Sequence, residues 1–171
     1  MLAAMTIHDS HPFADPDPDP ARRLRGRIGG TVTLWTAGSE TARSGLTLSS
    51  VLVVLGEPAR VLGLVDPDSD LADMVAQTGR AVVQLLQWAD RDLAEAFAGT
   101  APAPGGAFRQ AAFVDTEWGP RLAHAVTWAG VGLESATEVG WSRLLTCTVE
   151  HLQVGDDAEP LMHRRGRWLR P

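Results

Sequence analysis

The sequence predicts a mostly β domain with minor α content, most simply a barrel with short helices on its rim. Two observations carry that prediction. Short runs of β-branched, aliphatic and aromatic residues recur between residues 31 and 169, each bounded by Gly, Pro, Ser or Asp. Helical spacing appears only in a few short stretches, so strand and helix alternate too sparsely for a doubly wound sheet. No G-x-G-x-x-G follows a strand either. The 171 residues fit one domain that buries a core without disulfide or metal, and a hydrophobic content of 44% excludes disorder over the whole chain.

Residues 1–20 end in Asp15-Pro-Asp-Pro-Asp-Pro20. Alternating Pro and Asp neither pair in a sheet nor continue a helix, so residues 1–20 are expected as a disordered Pro/Asp-rich leader and residues 21–171 as the folded domain. His8 and His11 in the leader sit among acids that repeat no metal-ligand spacing. Residues 21–28 read as a short basic helix stopped by Gly29 and Gly30. Thr31-Val-Thr-Leu-Trp-Thr36 reads as a strand and residues 37–40 as a turn. A second strand is expected over residues 44–54, broken by Glu57-Pro58, and a third over residues 60–65. Ser69 is placed to cap a helix, with Asp70 and Asp73 in its first turn and Gly79 at its stop. Residues 80–86 read as a buried strand, and residues 90–97 as a helix closed by Gly99. Residues 100–106 form a loop, and residues 117–120 a covering loop. Residues 126–138 and 144–154 read as two long strands meeting at Gly140-Trp-Ser142. A turn at residues 155–157 leads to a last strand over residues 161–169. Six or seven strands result, with no internal repeat.

Composition removes several chemistries. All 15 basic residues are Arg; Lys, Asn and Tyr are absent, which excludes a Schiff-base lysine, a P-loop lysine and a tyrosine acid. Cys147 stands alone, so no intramolecular disulfide or cysteine zinc site forms, and a buried structural thiol is expected. The net charge of −6 argues against nucleic-acid binding. No apolar run approaches the roughly 20 residues of a membrane span, and residues 1–20 lack the basic and apolar regions of a signal peptide. The expectation is a cytoplasmic protein with no membrane, nucleic-acid or metal partner.

Three pieces of this chain, in order, resemble the flavin reductase-like, FMN-binding split-barrel family. The first is Thr31-Val-Thr-Leu-Trp-Thr36 followed by Ser44-Gly-Leu-Thr-Leu-Ser-Ser50, similar to the family's small-Gly-x-Thr-x-Ser-Ser stretch. The second is the strand–Ser–helix unit of residues 61–79, with Val82-Val-Gln-Leu-Leu86 and the helix ending at Phe97-Ala98. The third is Pro160-Leu-Met-His-Arg-Arg-Gly-Arg-Trp168, similar to a Leu-x-Tyr-x-x-Gly-x-Tyr ending. The resemblance covers residues 24–170 and implies a Greek-key-like split β-barrel with short peripheral helices. It also implies a homodimer with flavin at the interface, and hydride transfer from NADH or NADPH to FMN or FAD. A separate monooxygenase that receives the reduced flavin is a further implied partner. Two alternatives stay open: a non-enzymatic flavin-binding or degenerate split-barrel dimer, and a split barrel with a different cofactor, deazaflavin or haem.

The candidate cofactor-binding residues follow from the same match. Gly45 permits close backbone approach. Thr47 and the backbone near Leu48 would meet the isoalloxazine, with Leu46 in the same cofactor-binding stretch, and Ser49 and Ser50 the ribityl-phosphate end. Ser69 either contacts a phosphate at its helix N-terminus or only caps the helix, with Asp66, Asp68, Asp70 and Asp73 crowded around it. Arg167 belongs to a run, residues 163–170, whose alternate side chains in a single strand put His163, Arg165 and Arg167 on one face. That face meets a phosphate or is a charged edge. At Gly140-Trp-Ser142 many reductases of the family carry Gly-Asp-His. Trp141 here stacks on a ring or packs at the dimer interface, and no catalytic residue is assigned. Trp118 is a weaker site candidate, and His124 and His151 are expected to be structural or exposed.

Overall fold

The computed structural model of the protein describes residues 19–156 and 159–171. Residues 1–18, with His8, His11 and most of the expected leader, and Asp157 of the expected turn lie outside the described residues. Helix α1 (Pro20–Ile28) forms where the basic pattern predicts it. Asp19 accepts a hydrogen bond from the Ala21 N–H at 2.9 Å, and Gly29, at φ 66°, ends the helix.

The chain then builds β1 (Gly30–Thr31), β2 (Thr33–Ser39), β3 (Ala42–Leu48), β4 (Val51–Val54) and β5 (Arg60–Val65). Helix α2 (Asp70–Thr78) and β6 (Arg80–Leu85) follow. A 3₁₀ turn (Trp88–Asp90) leads into α3 (Arg91–Ala98), and a second 3₁₀ turn (Ala107–Arg109) precedes β7 (Phe113–Thr116) and β8 (Gly119–Leu122). The long strands β9 (Trp128–Val139) and β10 (Ser142–Gln153) come next, then β11 (Met162–Arg164) and β12 (Arg167–Leu169).

Seven strands form one antiparallel sheet in the order β3-β2-β6-β9-β10-β5-β4. Its two edge strands, β3 and β4, are consecutive in the chain and separated only by Ser49 and Ser50. A sheet whose opposite edges are joined by two residues has to curl on itself, which makes it a barrel. This corrects the expected strand over residues 44–54. The chain leaves β2 after Leu48 and takes up β5 from Ser50, whose carbonyl accepts the Leu64 N–H at 3.1 Å, so the strand breaks at Ser49 and Ser50 where it changes partner.

β2 is buried on both faces. Leu34 faces a cluster with Leu86, Phe97 and Leu161, while Trp35 faces the barrel interior with Val61, Val131 and Leu145. The Trp35 ring crosses that interior to β5, where a Cβ on Gly63 would lie 2.8 Å from its Cζ2. Helix α2 lays Leu71, Ala72 and Val75 into the Trp35 cluster, and α3 lays Leu93, Ala94 and Phe97 into the Leu34 cluster.

Two further expectations are corrected. The expected strand over residues 161–169 is a hairpin, β11–β12, turning at Arg165 (φ 54°) and Gly166 (φ 73°). Two successive left-handed residues are what a two-residue hairpin loop requires. The alternation therefore ends at Arg164, and His163 faces Trp168 across the hairpin, ring centroids 5.0 Å apart. The expected covering loop at residues 117–120 is the turn and second strand of the β7–β8 hairpin. Buried Gln84 ties that hairpin down: its Oε1 accepts the Leu122 N–H at 2.8 Å, and its Nε2 donates to Thr36 Oγ1 at 3.4 Å.

Cys147 is fully buried, and burial, helped by the Glu134 charge, pushes its thiol up to about 12. The folded protein should therefore resist a thiol-specific reagent at pH 8 and react fully once unfolded in urea. Gly63→Ala should lower stability by about 1–3 kcal/mol in urea titration, because its methyl meets the Trp35 ring. An unchanged midpoint would mean that the indole does not span the barrel.

Candidate functional site

β3 divides its side chains between two layers. Gly45 and Thr47 face α3: a Cβ on Gly45 would sit 2.7 Å from Phe97 Cε1, and the Thr47 hydroxyl donates to the Ala94 carbonyl at 2.7 Å. The close approach that Gly45 permits is thus that of the Phe97 ring. Leu46 and Leu48 face the barrel interior. The Leu48 carbonyl accepts from the Thr33 hydroxyl at 2.8 Å. The side chains of this stretch are committed to the fold as far as Leu48. Ser49 and Ser50 differ: both are exposed, and neither hydroxyl has a hydrogen-bond partner among the described residues. β3 is also an edge strand, so one side of its backbone faces no sheet neighbour.

Ser69 is a cap. Its hydroxyl donates to the Asp66 carbonyl at 2.7 Å and accepts the Ala72 N–H at 3.2 Å. The Asp66 carboxylate takes the Asp68 N–H at 2.9 Å. Asp66, Asp68, Asp70 and Asp73 are all exposed. This helix start is internally satisfied and negatively charged, a poor setting for a phosphate.

Cations gather at the corner from the other side. A Cβ on Gly30 would lie 2.8 Å from the Ser49 carbonyl, and Gly30 pairs with His163. The Gly29 turn lies under the His163 carbonyl and the Arg164 side chain. Arg164 Nε donates to the Arg27 carbonyl at 2.9 Å, and the Arg165 N–H donates to the Gly26 carbonyl at 2.8 Å. The end of α1 and the β11–β12 hairpin therefore stand together beside Ser49. Arg170 pairs with Glu159; the other arginines of α1 and the hairpin have no carboxylate partner among the described residues. Arg167 is exposed and pairs across the hairpin with Arg164. Burial, and then the Arg25 charge, holds the His163 imidazole below its ordinary value. Sequence reasoning singled out Arg167 but missed α1; the signal was Gly29-Gly30, which lets the helix end press against both hairpin and corner.

Trp141 sits at the β9–β10 turn beside Gly140 (φ 60°) and is 87% exposed. The register sets Arg143 opposite Val65 and Val51 opposite Gly63. The corner, the residue 66–69 turn and the Trp141 tip consequently lie at one end of the sheet. The remaining candidates have structural partners. Trp118 Nε1 donates to Glu150 at 2.7 Å and its ring stacks on His151 at 5.3 Å, over the space left by Gly130. His124 Nε2 contacts Asp90 Oδ1 at 2.7 Å. No group of three or more His, Cys, Asp or Glu suited to a metal occurs among the described residues. Nor is any helix among them long and apolar enough to cross a membrane.

The sequence profile described as flavin reductase like domain matches residues 25–169, and the chain belongs to this family. The FMN reductase (NADH) RutF of Ancylobacter novellus is 28% identical over 148 residues, covering 86% of this chain and 81% of that protein. The NADH:FAD oxidoreductase SgcE6 of Streptomyces globisporus C-1027, a structure also solved with NAD and FAD fragments, superposes with a TM-score of 0.78 at 24% identity, over 88% of this chain and 90% of that one. BorF, the flavin reductase component of a bacterial two-component tryptophan halogenase, superposes with a TM-score of 0.78 at 18% identity, over 90% of this chain and 98% of that one. These two structures share the fold.

Arg25→Gln should raise the His163 titration midpoint toward the ordinary histidine value of about 6.5, read by NMR of the imidazole protons. Because the folded value is depressed, the unfolded chain binds the proton more readily. The associated stability is therefore present above about pH 6.5 and is lost as the pH falls through the folded value. An unmoved midpoint in the variant would separate Arg25 from His163.

Proposed function

We propose that the chain is a homodimeric flavin reductase that oxidises NADH or NADPH and reduces FMN, or FAD, with residues 21–171 as the working domain. The observation that carries this is the Ser49–Ser50 corner, whose two hydroxyls have no hydrogen-bond partner among the described residues and which is bordered by arginines, in a chain of this family. The residues present fit a flavin mononucleotide. Ser49 and Ser50 donate to the ribityl-phosphate end, and Arg164 and Arg167 neutralise the dianion that the acidic Ser69 turn would repel. The unpaired backbone edge of β3, at Leu46, Thr47 and Leu48, meets the polar rim of the ring system, since the Thr47 side chain is already used. A flavin held there would supply the hydride-accepting chemistry, with the nicotinamide as the two-electron donor and water as the source of the proton. The chain binds and orients; no side chain at the corner is placed as an acid or base.

The dimer reading rests on β4. Leu52, Val53, Val54 and Leu55 are all exposed, so both faces of an apolar edge strand stand uncovered, with Leu64 beside them. Such an edge invites pairing or burial, and a second copy supplies it. Trp141 and Ser69 lie at the same end of the sheet, where a partner protomer closes the cleft. The names of RutF and SgcE6 favour NADH, and the BorF system supports transfer of reduced flavin to a separate oxygenase or halogenase.

FMN fluorescence should be quenched on titration with the protein, with dissociation constants below about 50 µM, and the protein should bleach the near-ultraviolet absorbance of NADH when FMN is added. Replacing Ser49 and Ser50 together by Ala should weaken FMN binding about tenfold, as should Arg164→Gln with Arg167→Gln. Quenching without NADH oxidation would favour the non-enzymatic reading. No quenching would remove flavin from the account.

A further inference from the structure

Helix α1 carries a surface that neither the barrel nor the proposed flavin site uses. It spans nine residues, and none of them is buried. Its large apolar side chains, Leu24 and Ile28, stand one turn apart on one stripe and are 62% and 74% exposed. At a helical spacing of about 100° per residue, Arg22, Arg23, Arg25 and Arg27 occupy the rest of the circumference. An amphipathic helix ordinarily turns its apolar stripe to its own core. α1 does not; it is tied to the hairpin by the Arg165-to-Gly26 and Arg164-to-Arg27 hydrogen bonds and by the packed Gly29 turn. Isolated helices shorter than about 12–15 residues are marginal in water, and this one has Gly26 inside it. Its remaining support has to come from whatever covers Leu24 and Ile28.

We infer that α1 is a docking surface for an acidic protein whose apolar recess takes Leu24 and Ile28 and whose carboxylate rim meets the surrounding Arg22, Arg23, Arg25 and Arg27. This is the helix-in-groove mode, with anchors at i and i+4. Charge selects the occupant. Eight of the 15 arginines lie in α1 and residues 164–170, and all of these but Arg170 have no carboxylate partner among the described residues, in a chain with 21 acidic residues and a net charge of −6. The patch reverses the sign of an otherwise strongly acidic molecule. A bilayer or a duplex nucleic acid is a stiff, extended anion that meets the acidic body as well as the patch and is repelled by it, whereas a flexible carboxylate chain is able to stay on the patch. A compact carboxylate rim on a folded protein meets only the patch. A second copy is the competing occupant, and the oligomeric state of the Leu24/Ile28 variant decides against or for it.

The full chain is tested by fluorescence anisotropy against labelled poly-L-glutamate and a labelled random glutamate–leucine copolymer. The copolymer should bind about fivefold more tightly than poly-L-glutamate, and Leu24→Ser with Ile28→Ser should abolish that preference. Arg22→Gln with Arg23→Gln should weaken both about tenfold. All these side chains lie outside the core, so thermal midpoints should stay at the wild-type value. Equal binding of the two polymers, or a preference that survives the Leu24/Ile28 change, overturns the inference. So does tighter binding to phosphatidylglycerol vesicles or duplex DNA, or conversion of dimer to monomer by Leu24→Ser with Ile28→Ser. FMN quenching, measured on the same samples, reports on the flavin reading independently.

Discussion

The Trp35 indole lying against Gly63 is the contact on which the rest of the structure depends. β2 and β5 stand four places apart in the sheet order, so this contact crosses the barrel interior. One ring and one missing side chain set the cross-section there. β2 also carries Leu34 into the second cluster, so its position registers both cores at once. The Trp35 Nε1 is buried and has no hydrogen-bond partner among the described residues, an arrangement that costs on the order of 1–3 kcal/mol. Burial of a large aromatic surface offsets it. Shape governs this position more than polar satisfaction does.

The corner is a consequence of that closure. Once the sheet curls far enough for Trp35 to reach Gly63, its two edges are brought within two residues of chain. Ser49 and Ser50 span the gap where the chain passes from one backbone partner, β2, to the other, β5. Their hydroxyls are left over because the neighbouring groups already have partners: Thr47 binds Ala94, Thr33 binds Leu48, and Ser69 is spent on its own helix. Charge is sorted around the same corner. The aspartates of the residue 66–73 segment project to solvent, while arginines from both ends of the chain converge through the Gly29-Gly30 turn.

Elements whose cause is local were legible in the sequence. Ser69 and Gly79 bound α2 because a hydroxyl at the cap and a left-handed glycine at the stop act within a few residues. β5 matches residues 60–65 because its alternating burial is written in its own side chains. The long hairpin turns at Gly140 for the same reason. The misread segments all depend on a partner far away in the chain. Residues 44–54 look like one strand until β2 and β5 compete for them. Residues 161–169 look like one strand until β1 takes β11 and the chain doubles back at Arg165 and Gly166. Residues 117–120 look like a loop until Gln84, from β6, holds them as a strand.

The candidate site divides along the same line. The sequence alone determined which chemistries were closed to this protein, through the absence of Lys and Tyr and the lone cysteine. It also determined the order of motifs that marks a flavin reductase-like chain, and singled out Ser49, Ser50 and Arg167. Only the tertiary structure decided that Gly45 makes room for Phe97, that Thr47 is occupied, and that α1 joins the hairpin beside Ser49. Residue type sets what a side chain is able to donate or accept. Whether that capacity is still free depends on neighbours brought together by sheet closure, and those lie tens of residues apart.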